Sequence, residues 1–323
     1  MASNPEEVAP VDDAVIRTEG LTKRYGSVLA LDSLDLEVAR GEVFGFLGPN
    51  GAGKTTTIRL LLGLIRPTAG SAAVLGLDPW REAVGLHRRV GYVPGEFVVW
   101  PQLTGGEMLE LLGNLHGGVD LAYRDELIAR FDFDPHKRGR SYSKGNRQKV
   151  GLIASLQTRA EVLILDEPTS GLDPLMAAAF QDCAREARDR GQTVFLSSHI
   201  LSEVEDVCDR VAILRRGRLA DVGTLEELRH LSARTFELTF DGSPPALEGV
   251  SGVEVVASDD GVVRCRVHGS IRPLVDALAG SNVASILSKE PSLEEIFLRY
   301  YGPDGATAAE PAAASEPRVD TPG

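Results

Sequence analysis

The chain has no long uninterrupted hydrophobic segment. Its 323 residues contain no apolar run near the roughly 20 residues that a membrane-spanning helix needs, and the longest obvious candidate covers residues 60–65. The beginning of the sequence is acidic between Glu6 and Asp13, without the basic and then apolar order of a signal peptide. We therefore expect this polypeptide to stay in the cytosol.

Cysteine is also scarce, and basic residues are fewer than acidic ones. The three cysteines, Cys183, Cys208 and Cys265, show no paired spacing, which predicts buried thiols in a reducing compartment. The formal net charge is −13. Because nucleic-acid binding requires a basic surface, this charge argues against a nucleic-acid partner.

Two adjacent carboxylates follow a fully apolar run. Residues 162–165 are all aliphatic and predict a buried parallel strand, after which Asp166 and Glu167 come directly. Open α/β sheets bind ligands beyond the carboxyl ends of their strands. The pattern predicts that Asp166 holds a hydrated Mg²⁺ and that Glu167 polarises an attacking water, although Asp-Glu-Pro alone is also ordinary turn chemistry.

A glycine-rich segment with the spacing G-x-x-x-x-G-K-T follows another apolar run, residues 42–47, and precedes a predicted helix over residues 55–65. Backbone N–H groups of such a loop, together with the positive end of the helix, bind phosphate oxygens. We expect Lys54 to reach the β and γ phosphates and the Thr55 hydroxyl to ligate Mg²⁺. The predicted nucleotide-binding residues are Gly48, Pro49, Asn50, Gly51, Ala52, Gly53, Lys54, Thr55 and Thr56.

A third segment distinguishes among P-loop proteins. Residues 142–149 span the start of a predicted helix over Arg147 to Leu156, and a Ser and a Gly at that helix start form a second phosphate-binding arrangement. With this segment the chain resembles the ATP-binding subunit of an ABC transporter over about residues 14–225. The residues that resemble the family's signature sequence, in a variant common in drug-export and ABC-2-type systems, are Ser143, Lys144, Gly145, Asn146, Arg147 and Gln148. The resemblance implies that all of these except Arg147 contact the nucleotide.

The resemblance implies roles for further residues. Tyr25 matches an aromatic residue that stacks on adenine, His199 matches a histidine that braces the γ-phosphate, and residues 170–173, ending in Asp173, match a loop that contacts the other subunit. One position departs from the family: Gly95 stands where a Gln usually follows the Pro, and Glu96 comes next. Glu96 is a candidate replacement, since a carboxylate accepts hydrogen bonds from metal-bound water, although it cannot donate one as an amide does.

The resemblance also implies the fold and assembly. We expect a P-loop NTPase of the ABC ATPase type, with a RecA-like mixed sheet, an antiparallel β layer and a helical subdomain, followed by a small C-terminal α/β appendage. The chain has one phosphate loop and one signature segment, so a working site requires a homodimer with ATP between the subunits. ATP and Mg²⁺ are the implied cofactors.

The predicted domains are a disordered arm over residues 1–13, the nucleotide-binding domain over 14–224, the appendage over 225–303 and a disordered tail over 304–323. The helical subdomain is expected at about residues 100–150, where the family receives the membrane subunit. Its apolar positions are equally consistent with internal core and with a partner surface: Leu103, Met108, Leu111, Leu112 and Leu115. Similar appendages occur on daunorubicin-resistance ATPases, where they are linked to dimerisation or regulation.

Short apolar and periodic segments predict the elements of the appendage. Strands are predicted over residues 236–240, 253–256 and 262–267, and helices over residues 271–278 and 292–301.

We therefore expect an ATP-hydrolysing subunit of an exporter at the cytoplasmic side of the cell membrane. It would drive a separate multi-span permease that extrudes hydrophobic drugs, antibiotics or lipid-like compounds. The alternative is a non-transport ABC ATPase that acts on a macromolecule such as the ribosome. A P-loop small-molecule kinase would lack the Ser143 segment and the strand end at His199.

Overall fold

The computed structural model describes residues 14–230, 234–259 and 261–289. The chain divides into two compact units that meet in sequence between Leu225 and Glu226, one residue beyond the predicted boundary. The predicted arm, the predicted tail and a helix predicted over Ser292 to Tyr301 lie outside the described residues.

The first unit contains nine strands and seven complete helices among its described residues. The strands are β1 (Ala14–Tyr25), β2 (Val28–Ala39), β3 (Val43–Leu47), β4 (Ala69–Val74), β5 (Val90–Val93), β6 (Val162–Asp166), β7 (Thr193–Ser198), β8 (Arg210–Arg215) and β9 (Arg218–Thr224). The helices are α1 (Lys54–Leu61), α2 (Ala83–His87), α3 (Gly105–His116), α4 (Leu121–Arg130), α5 (Lys144–Leu156), α6 (Pro174–Asp189) and α7 (Leu201–Glu205). The next helix, α8 (Leu225–His230), begins at the boundary.

Two sheets organise this unit. A six-stranded sheet has the order β5-β6-β7-β3-β8-β9 and is parallel except for the antiparallel pair β8 and β9. Every residue of β3, β6 and β7 is buried, as expected for parallel strands covered on both faces. An antiparallel layer of order β2-β1-β4 packs with α1 and the larger sheet around one hydrophobic core that includes Leu31, Phe46 and Ile58.

The helix boundaries differ from the predicted ones at two functional elements. Helix α1 ends at Leu61, earlier than the predicted residue 65, because Gly63 has a left-handed φ of 63° that stops the helix. Helix α5 begins at Lys144, earlier than the predicted Arg147. The reason is that the Ser143 hydroxyl accepts a hydrogen bond from the Asn146 N–H at 3.2 Å and caps the helix there.

The predicted helical segment contains α3, α4 and the start of α5. Its apolar positions divide between core and surface. Met108 is fully buried, whereas Leu111 and Leu115 are 39% and 73% exposed. Met108 therefore belongs to the core, whereas a partner surface at Leu111 and Leu115 stays a prediction.

Beyond α8, the described part of the second unit is a four-stranded antiparallel sheet with one helix packed on it. Its order is β11-β12-β10-β13, with β10 (Arg234–Phe240), β11 (Val253–Asp259), β12 (Val262–Val267) and β13 (Val283–Lys289), and the helix is α9 (Arg272–Leu278). Phe236, Leu238, Cys265 and Leu274 form part of its separate hydrophobic core. Strand β13 had no counterpart among the predicted elements.

All three cysteines are buried free thiols, as predicted. Burial raises the pKa of each thiol, most strongly at Cys208. None of the helices in the described parts of the chain is both long and apolar enough to cross a bilayer.

Candidate nucleotide-binding and hydrolysis site

The phosphate loop joins the buried strand β3 to α1. Gly51 and Gly53 have left-handed φ angles of 82° and 116°. A Cβ atom at residue 53 would lie 2.8 Å from the Ala30 carbonyl oxygen, so only glycine fits there. No side chain caps the N-terminus of α1, and its first N–H groups therefore keep the capacity to bind phosphate.

Lys54 occupies the floor of this loop. Its side chain is 4% exposed, and Nζ donates a hydrogen bond to the Gly48 carbonyl at 2.5 Å. Burial lowers the pKa of Lys54, and the nearby carboxylates of Glu167 and Asp166 partly offset this effect. The ammonium group lies 3.7 Å from Glu167 Oε1. A desolvated cation at this position is suited to binding an anionic phosphate group.

Asp166 is held at both carboxylate oxygens. The Thr55 hydroxyl donates to Oδ2 at 2.9 Å, and the Ser197 hydroxyl donates to Oδ1 at 2.5 Å. Asp166 is 3% exposed and Ser197 is fully buried. Ser197 was not among the predicted site residues. It reaches Asp166 because β7 pairs with β6 at that position.

Glu167 leaves the strand with an unusual backbone. Its φ of 49° lies in the left-handed region, and its N–H donates to the carbonyl and the hydroxyl of Ser197, both at 3.1 Å. His199 Nδ1 is 3.2 Å from Glu167 Oε1. The same oxygen therefore lies between Lys54 and His199, which brings together the side chains predicted for phosphate binding, water activation and γ-phosphate contact.

The signature segment contacts the loop that follows Glu167. Lys144 Nζ donates to the Ser170 hydroxyl at 3.0 Å, and a Cβ at residue 145 would lie 2.6 Å from the Gly171 carbonyl oxygen. Gln148, predicted as a nucleotide contact, is 2% exposed and donates to the Pro168 carbonyl at 3.0 Å. Its amide therefore supports the loop within the chain in this structure.

The remaining predicted residues lie at the edges of this arrangement. Tyr25 is 44% exposed at the end of β1, with Lys23 Nζ 5.1 Å from its ring centre. The side chain of Asp173 caps α6 by accepting from the Met176 N–H at 3.0 Å. Neither residue contacts Lys54 or the adjacent carboxylates in this conformation, and their predicted roles in nucleotide binding stay predictions.

The departure at Gly95 lies next to the acidic strand end. A Cβ at residue 95 would be 3.7 Å from the Asp166 carboxylate, a normal contact distance, so the backbone does not require glycine there. Glu96 is exposed, and no hydrogen bond or ion pair joins it to another residue of the described chain. Its proposed replacement of the Gln also stays a prediction.

The donor set at Thr55 and Asp166 fits Mg²⁺. Two hard oxygen atoms, one hydroxyl and one carboxylate, converge beside the phosphate loop. Magnesium in nucleotide sites is typically bound through one or two carboxylates together with phosphate oxygens and water. Within the described ranges, no cluster of three or more His, Cys, Asp or Glu side chains forms a metal site independent of a nucleotide.

Comparison with known proteins gives the family. A family model described as "ABC transporter" matches residues 31–170, and one described as "ATP-binding protein DrrA1-3-like, C-terminal domain" matches residues 223–301. The daunorubicin resistance ATP-binding protein DrrA3 of Streptomyces coeruleorubidus is 39% identical over 310 residues, which cover 90% of this chain and 97% of the relative. The bacitracin transport ATP-binding protein BcrA of Bacillus licheniformis is 33% identical over 300 residues, which cover 89% of this chain and 97% of that relative.

A solved structure of the ATP-binding subunit of an ABC transporter is also similar. It superposes with a TM-score of 0.62 at 31% identity, covering 67% of this chain and 92% of that structure. The phosphate loop, the acidic strand end and the matched families agree with one another. The chain therefore belongs to the ATP-binding subunits of ABC transporters, as a transport ATPase with a P-loop cassette and a DrrA1-3-like C-terminal domain.

Proposed function

We propose that this chain is the ATPase subunit of an exporter that powers a separate multi-span permease. The principal support is the position of Glu167 Oε1, 3.7 Å from Lys54 Nζ and 3.2 Å from His199 Nδ1. In this proposal the carboxylate lies beside the γ-phosphate, with one buried cation and one imidazole around it. Such a group is suited to orient an attacking water and accept its proton.

The chain's own residues divide the work of hydrolysis. The phosphate loop and Lys54 bind the β and γ phosphates and stabilise the negative charge that develops there. Glu167 orients the water, and His199 contacts the γ-phosphate and restrains Glu167. Bound Mg²⁺, held through Thr55 and Asp166, supplies additional charge neutralisation on the phosphate oxygens.

A complete site in this proposal requires two chains. The N-terminus of α5, with Ser143 and Gly145, caps the nucleotide held by the partner's phosphate loop, and the symmetric contact forms at the second site. ATP then stabilises the homodimer and hydrolysis releases it, which changes the conformation of the attached permease. Within the chain, residues 14–224 form the nucleotide-binding domain, with the helical subdomain at about 100–150, and 225–303 form the accessory domain.

The cargo class rests on the relatives' names. DrrA3 is named for daunorubicin resistance and BcrA for bacitracin transport, and both align over most of this chain. We infer a hydrophobic drug, antibiotic or lipid-like compound as cargo, and a peripheral location at the cytoplasmic side of the cell membrane. The similarity to transport subunits favours this function over one on the ribosome.

The experiment combines the purified chain with its candidate permease, to be sought among the neighbouring genes, in lipid vesicles. ATP should drive accumulation of daunorubicin or a similar compound in inside-out vesicles. Because the general base is removed, Glu167→Gln should lower ATP hydrolysis by about 10² or more and stop accumulation, while ATP still binds. Glu248→Gln, which makes the same change at an exposed site in the second unit, is the control.

Near-normal turnover of Glu167→Gln would contradict the assignment of the general base. ATPase activity that is stimulated by ribosomes, and not by the permease with its cargo, would instead support the macromolecular alternative.

A further inference from the structure

Lys144 is the first residue of α5 and carries a positive charge. Its side chain extends from the N-terminus of α5 to the Ser170 hydroxyl, with an Nζ to Oγ distance of 3.0 Å. The aliphatic part of the same side chain covers Gly171, since a Cβ at that residue would lie 3.2 Å from Lys144 Cγ and Cδ. One residue thus contacts both members of the Ser170-Gly171 turn.

The charge of Lys144 is not accounted for by its local position. A cation at a helix N-terminus is unfavourable because the helix dipole is positive there. No carboxylate within the described chain lies within ion-pairing distance of Nζ, and the hydrogen bond to Ser170 is its polar contact. The interaction with the turn therefore explains the direction of this side chain better than local electrostatics does.

The turn that Lys144 contacts begins at the catalytic carboxylate. The Ser170 N–H donates to the Glu167 carbonyl at 3.1 Å, and the Gln148 amide donates to the Pro168 carbonyl at 3.0 Å. Helix α5 is therefore fastened to the turn at two points, one exposed at Lys144 and one buried at Gln148. Movement of the N-terminus of α5 would displace the turn, and with it the backbone next to Glu167.

We propose that Lys144 is a positioning residue that couples the two ATP sites of the dimer through its bond to Ser170. This inference rests on the proposed composite site, in which Ser143 faces the partner's nucleotide and Glu167 acts on the chain's own. Within one chain, the bond between Lys144 and Ser170 joins the segment that contains Ser143 to the turn that begins at Glu167. Nucleotide binding at one site thereby orients the turn of the other, and the two sites fill cooperatively.

The test uses Glu167→Gln as the background, in which ATP accumulates without hydrolysis. The fraction of dimer is measured by light scattering as ATP with Mg²⁺ is added. Lys144→Met keeps the aliphatic cover on Gly171 and removes the ammonium group, and Ser170→Ala removes the acceptor. Each should raise the ATP concentration at half-dimerisation by about 3- to 10-fold, the range for one exposed charged hydrogen bond, and should lower the Hill coefficient.

Three comparisons make the test specific. Lys144→Met combined with Ser170→Ala should shift the midpoint no further than either change alone, because both remove the same bond. Lys144→Arg keeps a donor and should restore most of the parental behaviour. Lys137→Met removes an exposed lysine of the same subdomain, 3.4 Å from Asp134, and should leave the curve unchanged.

A second readout does not depend on the dimer. Without nucleotide, Lys144→Met and Ser170→Ala should both increase backbone hydrogen exchange at residues 143–147 and 169–173, and Lys137→Met should not.

The outcomes separate this inference from the proposed function. Unchanged midpoints in both variants would overturn the coupling role alone. A shift in Lys144→Met that Ser170→Ala does not share would also overturn it, since Lys144 would then act on the phosphate directly. Failure of the Glu167→Gln parent to dimerise with ATP would contradict the composite site, and this inference with it.

Discussion

Ser197 connects the Asp166 carboxylate to the backbone of Glu167 through one hydroxyl group. It donates to Asp166 Oδ1 at 2.5 Å and accepts from the Glu167 N–H at 3.1 Å. Because Ser197 is fully buried, neither bond competes with solvent. The hydroxyl therefore sets both the orientation of the Asp166 carboxylate and the direction of the backbone at Glu167.

We expect Ser197→Ala to lower the kcat of ATP hydrolysis by about 10- to 100-fold, the range for groups that orient a ligating carboxylate. The KM for ATP should change little, because the phosphate loop is untouched. A steady-state ATPase assay measures both constants. Ser155→Ala is the matched control, since it removes a buried hydroxyl without a hydrogen-bond partner. A rise in KM with an unchanged kcat would show that Ser197 serves nucleotide binding instead.

Local sequence patterns predicted the positions of individual site residues better than their contacts. Lys54 and Asp166 lie at the N-terminus of a helix and at the end of a buried strand because glycine spacing and aliphatic runs are local signals. The contacts of Ser197 with Asp166 and of Lys144 with Ser170 join residues 31 and 26 positions apart. They follow from strand order and helix packing, which no local pattern specifies.

At the level of elements, Tyr142 anchors the segment immediately before the signature helix. Its hydroxyl donates to the Asp134 carbonyl at 2.9 Å, and its ring packs on Phe133 with centroids 5.4 Å apart. The side chain is 3% exposed, and burial together with the nearby Asp134 carboxylate raises the pKa of Tyr142 to about 12. This anchor connects the start of α5 to the loop that follows α4.

The raised pKa predicts alkaline sensitivity. An unfolded tyrosine ionises near pH 10, whereas the folded Tyr142 keeps its proton until about pH 12. Since the unfolded state then binds fewer protons, the free energy of unfolding falls as pH rises through this window. Between pH 9 and pH 11 the parent should lose about 1 kcal/mol relative to Tyr142→Phe. Urea unfolding at each pH measures the difference, and parallel pH profiles of the two proteins would contradict the prediction.

The elements themselves were predicted unevenly. Strand β6 followed from its hydrophobic run, and the pair β1 and β2 followed from the alternation of apolar and polar residues between Val15 and Val38. Strand β13 was missed because its solvent-exposed residues Ile286 and Leu287 are adjacent and break the alternation that marks a half-buried strand. The start of α5 was placed too late because the capping bond at Ser143 adds a turn before the apolar positions begin.

At the scale of the whole molecule, forming a dimer brings together two subunits that carry a large charge of the same sign. Each chain has a net charge of −13, so two subunits repel each other at low salt. We expect the protein to be largely monomeric without nucleotide and the Glu167→Gln variant to dimerise with ATP and Mg²⁺. Ser143→Arg should block this dimer, because a long cationic side chain clashes with the partner across the nucleotide.

Light scattering with and without ATP measures the change in mass. Ser143→Asn keeps a capping oxygen and a small side chain and should still form the dimer. Ser143→Arg should retain ATP binding, since its own phosphate loop is intact. An ATP-induced dimer that survives Ser143→Arg would mean that the second unit, not the signature segment, holds the pair together.

The left-handed backbone of Glu167 also makes stability and activity favour different residues at this position. An ordinary side chain in this conformation costs about 1 to 3 kcal/mol, whereas glycine adopts it freely. The folded chain therefore tolerates a destabilising residue at the position proposed for the general base. Selection for heat resistance alone would favour Glu167→Gly and yield a more robust protein that no longer turns over ATP.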